Sequence, residues 1–164
     1  MAGYGDDTTF QAWLDANGYT LPDGSPTPAV LRQRGSVYID GTYGARFPGS
    51  PTDGASQERE WPRTGAVDRY GNALDPNTVP QRVIDASYIA AYQEAVEPGS
   101  LSASGSSAAR VKRERVEGAV EVEYQSTATG NDLVADLTPI LTSIEGILSP
   151  LLVTARLIPA IAIV

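Results

Sequence analysis

Read as hydrophobic and polar positions, the chain opens with a short amphipathic helix. Phe10, Trp13 and Leu14 fall at i, i+3 and i+4, the spacing that gathers side chains on one helical face. Thr8 and Gln11 stand at capping-box spacing, and Gly18 is placed to end the helix. A loop over residues 20–28 follows. Thr27-Pro28 then reads as an N-cap with proline at the first helical position. Val30, Leu31, Arg34, Val37 and Tyr38 recur at helical spacing, which predicts a second helix from Pro28 to about Tyr43. Gly35 within it permits close approach of another helix. After Pro76–Pro80 a third helix is predicted, with Val83, Ala86, Ser87, Ala90 and Ala91 on one narrow face and its end at Glu97, before Pro98-Gly99.

Between these helices, residues 47–56 read as loop and residues 57–60 as one helical turn. Residues 66–74 read as a turn at Tyr70-Gly71-Asn72 between two extended pieces. Small polar residues over 101–109 read as a linker. Val120, Val122 and Tyr124 then alternate with Glu121 and Glu123, a half-buried strand able to pair with residues 111–116. A fourth helical stripe runs through Leu133, Leu137, Ile140, Leu141, Ile144 and Leu148, divided at Pro139.

Beyond Ser149-Pro150 lies an apolar tail. Leu151, Leu152, Val153, Leu157, Ile158, Ile161, Ile163 and Val164 are interrupted by one charge, Arg156, and by Pro159. Chain ends usually fray into water, so this tail is expected to dock on a partner. The fold class expected is mainly α with a small β element: a bundle of about three to four helices, a β-hairpin or strand, and an extended C-terminal arm. Residues 1–100 form the helical core, 101–125 the linker and strand, and 126–164 the C-terminal helix and docking tail.

Composition then removes most chemistry. The chain has 164 residues, 41% of them hydrophobic and 20% charged, which suits a globular chain. It contains no Cys and no His, so disulfides, thiolate metal sites and the usual neutral-pH base are all missing. No nucleotide, esterase or calcium-loop motif is present. The carboxylate pairs Asp6-Asp7 and Glu58/Glu60 stand in polar stretches and read as solvated surface. No enzyme, cofactor or metal is therefore expected. Net charge is −8, against the basic face that nucleic-acid binders use, yet suited to a conduit through which DNA slides. The one basic run, Arg110, Lys112, Arg113 and Arg115, is interleaved with glutamates. No window holds the roughly 20 apolar residues of a membrane span, so no membrane is expected as a partner.

One ordered set of short motifs goes further. Arg34-Gly35-Ser36 is followed by Tyr38-Ile39-Asp40, then Tyr43 with Arg46-Phe47. Gln57 precedes Trp61-Pro62-Arg63, and Pro80, Val83 and Ala86 open the third helix. Over residues 5–125 this resembles the head-to-tail adaptor (connector) proteins of tailed bacteriophages and gene transfer agents. Some of these are described as DnaT-like single-stranded DNA-binding proteins. The resemblance implies a virion structural protein of the neck between capsid and tail, assembled from the host cytoplasm. It implies a ring, commonly of twelve copies, beneath the portal protein, with the C-terminal tail docked on the portal. The next tail or neck protein, a stopper or tail terminator, would bind the opposite surface, and genomic DNA would pass through the lumen without specific binding. Arg34, Tyr38, Arg46, Phe47, Trp61, Pro62 and Arg63 become candidate interface residues between subunits. The alternative is a single-stranded DNA-binding accessory protein, with the basic run and Tyr124 as its contact.

Overall fold

The computed structural model describes residues 2–101 and 142–153. Four helices appear there: α1 (Asp7–Asn17), α2 (Pro28–Tyr43), α3 (Gln81–Val96) and α4 (Thr142–Leu148). Two short strands, β1 (Ser50–Pro51) and β2 (Arg63–Thr64), pair antiparallel, Ser50 with Thr64 and Pro51 with Arg63. The protein is mainly helical with a small two-stranded sheet, as the sequence pattern predicts. The strand expected at residues 111–124 lies outside the described residues, while the observed pair joins Ser50–Pro51, in a stretch read as loop, to Arg63–Thr64, for which no element is predicted. Two-residue strands carry no alternation for a sequence pattern to reveal.

The first helix starts earlier than its predicted cap. Asp6 is the N-cap, accepting from the Thr9 amide at 2.8 Å, while the Thr9 hydroxyl accepts from the Asp6 amide at 3.1 Å. Thr9 thus plays the part usually taken by Glu or Gln. Gly18 ends the helix in the left-handed conformation, φ 69°, where a side chain would be strained. The second helix has the predicted bounds, Pro28–Tyr43, with proline in its first turn. The one-turn helix expected at residues 57–60 is replaced by a 3-10 turn at Gly54–Ser56. The turn at Tyr70-Gly71-Asn72 forms as predicted, closed by a bridge between Val67 and Ala73.

Helices α2 and α3 make the central pair. Val83, Ala86, Ser87, Ala90 and Ala91, the narrow face predicted for α3, are all buried. Small residues there let the backbones close up around Gly35. One core cluster joins this pair to Tyr4, Tyr43, Phe47 and Trp61. A second cluster seats α1 through Phe10 and Leu14 against Leu31 and Tyr88.

The C-terminal segment belongs to the first cluster. Helix α4 packs along α3, and Ile144, Leu148, Leu151 and Leu152 are buried with Val83, Ala86 and Ala90. Burial removes about 1.5–3 kcal/mol of apolar exposure per large side chain. Leu151 and Leu152, expected to reach for a partner, therefore sit in their own chain's core, and only Val153 of the described tail residues is exposed. Residues 157–164 of the expected tail lie outside the described residues.

Candidate functional site

Arginines decide the character of the body. The described residues contain seven arginines and fourteen carboxylates, a balance of −7. Five of the arginines form ion pairs with carboxylates of the same chain: Arg32–Asp7, Arg34–Glu94, Arg46–Glu145, Arg59–Asp40 and Arg63–Glu60. Three of them also act as internal staples. Arg32 donates to the carbonyls of Gly3, Tyr4 and Gly5 and so ties down the chain before α1. Arg63 donates to Pro48 O and Gly49 O, both at 2.8 Å, and ties β2 to the loop before β1. Arg59 donates to Ala2 O at 2.9 Å. A guanidinium presents five donors in a fixed fork, so one side chain satisfies several loop carbonyls that no helix or sheet provides for.

Arg59 also enters a buried polar network at the junction of the N-terminal segment, α2 and the loop before β2. The Tyr4 hydroxyl donates to Asp40 and accepts from the Trp61 amide at 3.2 Å. The Tyr4 amide donates to Ser36 Oγ at 2.8 Å, and Arg59 reaches the other Asp40 oxygen at 3.3 Å. Burial is the main reason that the Asp40 carboxyl is held above its usual range, with Tyr4 and Arg59 pulling the other way. Burial, and then the Asp40 charge, hold the Tyr4 phenol far above its usual value. The Tyr4 hydroxyl, as donor, bridges the two groups. Beside them lies an open cleft bordered by Asp40, Gln57, Glu58, Arg59 and Glu60. Three carboxylates in that lining make it unsuited to phosphate.

The residues proposed by resemblance as subunit contacts are thus distributed differently. Tyr38, Phe47, Trp61 and Arg63 are buried within this chain. Their aromatic rings fill the core, where Phe47 meets Trp61 edge to face at 5.5 Å. Those four support the fold of their own chain. Pro62, in a cis peptide with Trp61, is partly covered. Arg34 and Arg46 stay about half exposed while bridging to Glu94 and Glu145. The basic run at 110–115 and Tyr124 lie outside the described residues. Reasoning from sequence missed Tyr4, Asp40 and Arg59 as one network. Their separation along the chain leaves no local signal.

Among the described residues no cluster of three His, Cys, Asp or Glu could hold a metal, and no helix is long and apolar enough to cross a membrane. A family model described as "Putative DnaT-like ssDNA binding protein" matches residues 3–161. The chain belongs to that family. The match spans both core clusters and the α4 segment. It names single-stranded DNA binding and lends no support to the head-to-tail adaptor family. No curated protein and no solved structure matches the chain.

Proposed function

We propose that this chain is a non-catalytic structural protein of a virion neck. In this reading it is a head-to-tail adaptor that forms a ring of identical subunits beneath the portal protein. The ring carries DNA through its lumen and offers its far surface to the next neck or tail protein. The observation that supports this reading is the state of the arginines. Five of seven are ion-paired within the chain, and the described body carries twice as many carboxylates as arginines. Such a surface repels phosphate, and non-specific DNA affinity rests on neutralising phosphates with free cations. Docking on the portal falls to the end of the chain, Leu157, Ile158, Ile161, Ile163 and Val164, because Leu151 and Leu152 are already buried.

A second reading, a single-stranded DNA-binding accessory protein, is favoured by the family description. The comparisons support it by name. The internally paired arginines of the described residues speak against a phosphate contact on that part of the chain. Binding would then fall to the run Arg110, Lys112, Arg113 and Arg115.

Two measurements separate them. Pull-down of the portal protein from the same genome should succeed with the full chain and fail with a chain ending at Val153. Fluorescence anisotropy with labelled oligothymidine should show no binding at low salt. Tight, salt-sensitive oligothymidine binding that Arg113→Glu abolishes, with no portal capture, would replace the first reading by the second.

A further inference from the structure

We propose that the hairpin tip Arg69-Tyr70, with Arg82 beside it, is a second contact for the portal protein and docks on an acidic, partly apolar face of that partner. The inference rests on the adaptor reading and adds to the docking tail a site built on the folded body. Its first ground is charge. Five of the seven described arginines are bound to carboxylates of their own chain, and the two that are not are Arg69 and Arg82. Both stand at one turn of the C-terminal segment. The Arg69 amide donates to Pro150 O at 2.8 Å, and Arg82 Nη1 donates to Ile147 O at 3.2 Å. The carboxylates nearest in sequence to these contacts are engaged within the chain. Asp68 accepts from the Tyr70 and Asn72 amides and from the Asn72 side chain, Asp85 accepts from Gln81, and Glu145 binds Arg46. The Arg69 guanidinium is left for a carboxylate from outside, which it can grip with two parallel donors.

The second ground is the way the tip is held. Tyr70 is 72% exposed, more than any other large apolar side chain among the described residues, and the Arg69 guanidinium lies 5.5 Å from its ring centroid. The backbone beneath them is fixed. The Leu74 amide donates to Ala66 O and the Asp68 amide to Asn72 O, both at 2.9 Å, and the Gly71 amide donates to Asp68 O at 3.0 Å. Neither the Arg69 nor the Tyr70 side chain takes part in these bonds, so the turn does not need them. Side chains on a rigid loop lose little freedom on binding, and Tyr and Arg are the residue types that dominate interface energies. Position then selects the partner. The Val153 amide is bound to Arg46 O at 2.9 Å, and the tip is bound to Pro150, three residues before Val153. The residues that dock in the adaptor reading follow Val153 in the chain. A portal engaged by the chain's end is thereby brought to the tip, and two contacts on one partner reinforce each other through local concentration.

The test uses the full-length chain and the purified portal protein from the same genome. Affinity is read by biolayer interferometry and folding by the urea midpoint. Arg69→Glu and Tyr70→Ala alter exposed side chains, so both variants should keep the parent's midpoint. Each should weaken portal binding about tenfold, the loss that follows removal of an interface hot spot. Arg69→Gln, closer in shape, repeats the charge test should Arg69→Glu shift the midpoint. If the parent binds the portal and the variants bind as tightly, the tail alone makes the joint: the inference is overturned and the adaptor reading stands. If the parent itself does not bind the portal, the adaptor reading fails and the inference falls with it. If instead the parent binds labelled oligothymidine and Arg69→Glu releases it, the tip serves a single strand, and the inference is overturned in favour of the second reading.

Discussion

Gly35 of α2 lies against the Ser87 backbone of α3 so closely that a Cβ at position 35 would come within 2.2 Å of Ser87 O and 2.8 Å of the Ala91 nitrogen. Both obstacles are backbone, so no side chain can swing aside. Gly35→Ala must therefore separate the central helices. Overpacking a tight core costs about 1–3 kcal/mol, and Gly35→Ala belongs at or above the top of that range. This loss exceeds the ~1 kcal/mol that alanine gains over glycine in a helix interior. Urea unfolding should show Gly35→Ala clearly less stable than the parent, whereas Gly41→Ala, with open space around its Cβ position, should be neutral or stabilising.

The sequence could announce this packing but not its partners. Period-3.6 spacing located α1, α2 and α3, because each helix buries one continuous stripe. It also marked Gly35 as a point of close approach. The Tyr4–Asp40–Arg59 network left no such trace, since residues 36 and 19 positions apart meet only after the chain has folded. Likewise Trp61-Pro62-Arg63 is a conspicuous string, and conspicuous strings invite a surface role. In the fold, Trp61 is 2% exposed and Arg63 is 5% exposed. The tail misled for a related reason. Its apolar character is continuous from Leu151 onward, so composition could not show that the core claims its first two leucines.

The attachment of Thr142–Val153 to the core should depend on leucine far more than on charge. Leu148 is fully buried, and truncating such a side chain costs about 2–5 kcal/mol. Arg46 and Glu145 are 47% and 38% exposed, and pairs that open to solvent contribute about 0.2–1 kcal/mol. Leu148→Ala should then free the segment, raising amide exchange across Thr142–Val153 and increasing its proteolysis. Glu145→Gln should leave both nearly unchanged. Equal effects from the two substitutions would mean that the ion pair, rather than the apolar contact, holds the segment.

Two carboxylates should give stability opposite slopes with pH. Bonds from Arg46 hold Glu145 below its usual range. Its contribution is therefore present above the unfolded value of about 4.3 and is lost as pH falls through the folded value. Burial holds Asp40 above its usual range. Its contribution is present below the unfolded value of about 3.9 and is lost as pH rises through the folded one. Urea titrations across the acid range should show Asp40→Asn without the decline on rising pH. Glu145→Gln should lack a small part of the loss on falling pH, small because that pair is open to solvent.

Tyr4 holds the remaining test, because its hydroxyl serves two partners at once. It donates to Asp40 and accepts from the Trp61 amide, and Tyr4 itself is 4% exposed. Tyr4→Phe keeps the ring in the core and removes only the oxygen. A buried amide then loses its acceptor and a buried carboxylate loses its donor. Leaving such groups unsatisfied costs about 1–3 kcal/mol each. The carboxylate keeps Arg59, so the amide bears most of the loss. Tyr4→Phe should therefore lower stability by roughly 1–3 kcal/mol, raise the Asp40 carboxyl further, and steepen the decline of stability with rising pH. Adding Asp40→Asn to Tyr4→Phe removes the stranded charge, so the double variant should lose less than the two single losses combined. Strict additivity in that double-mutant cycle would show that the two residues act independently and would break the network into separate contacts.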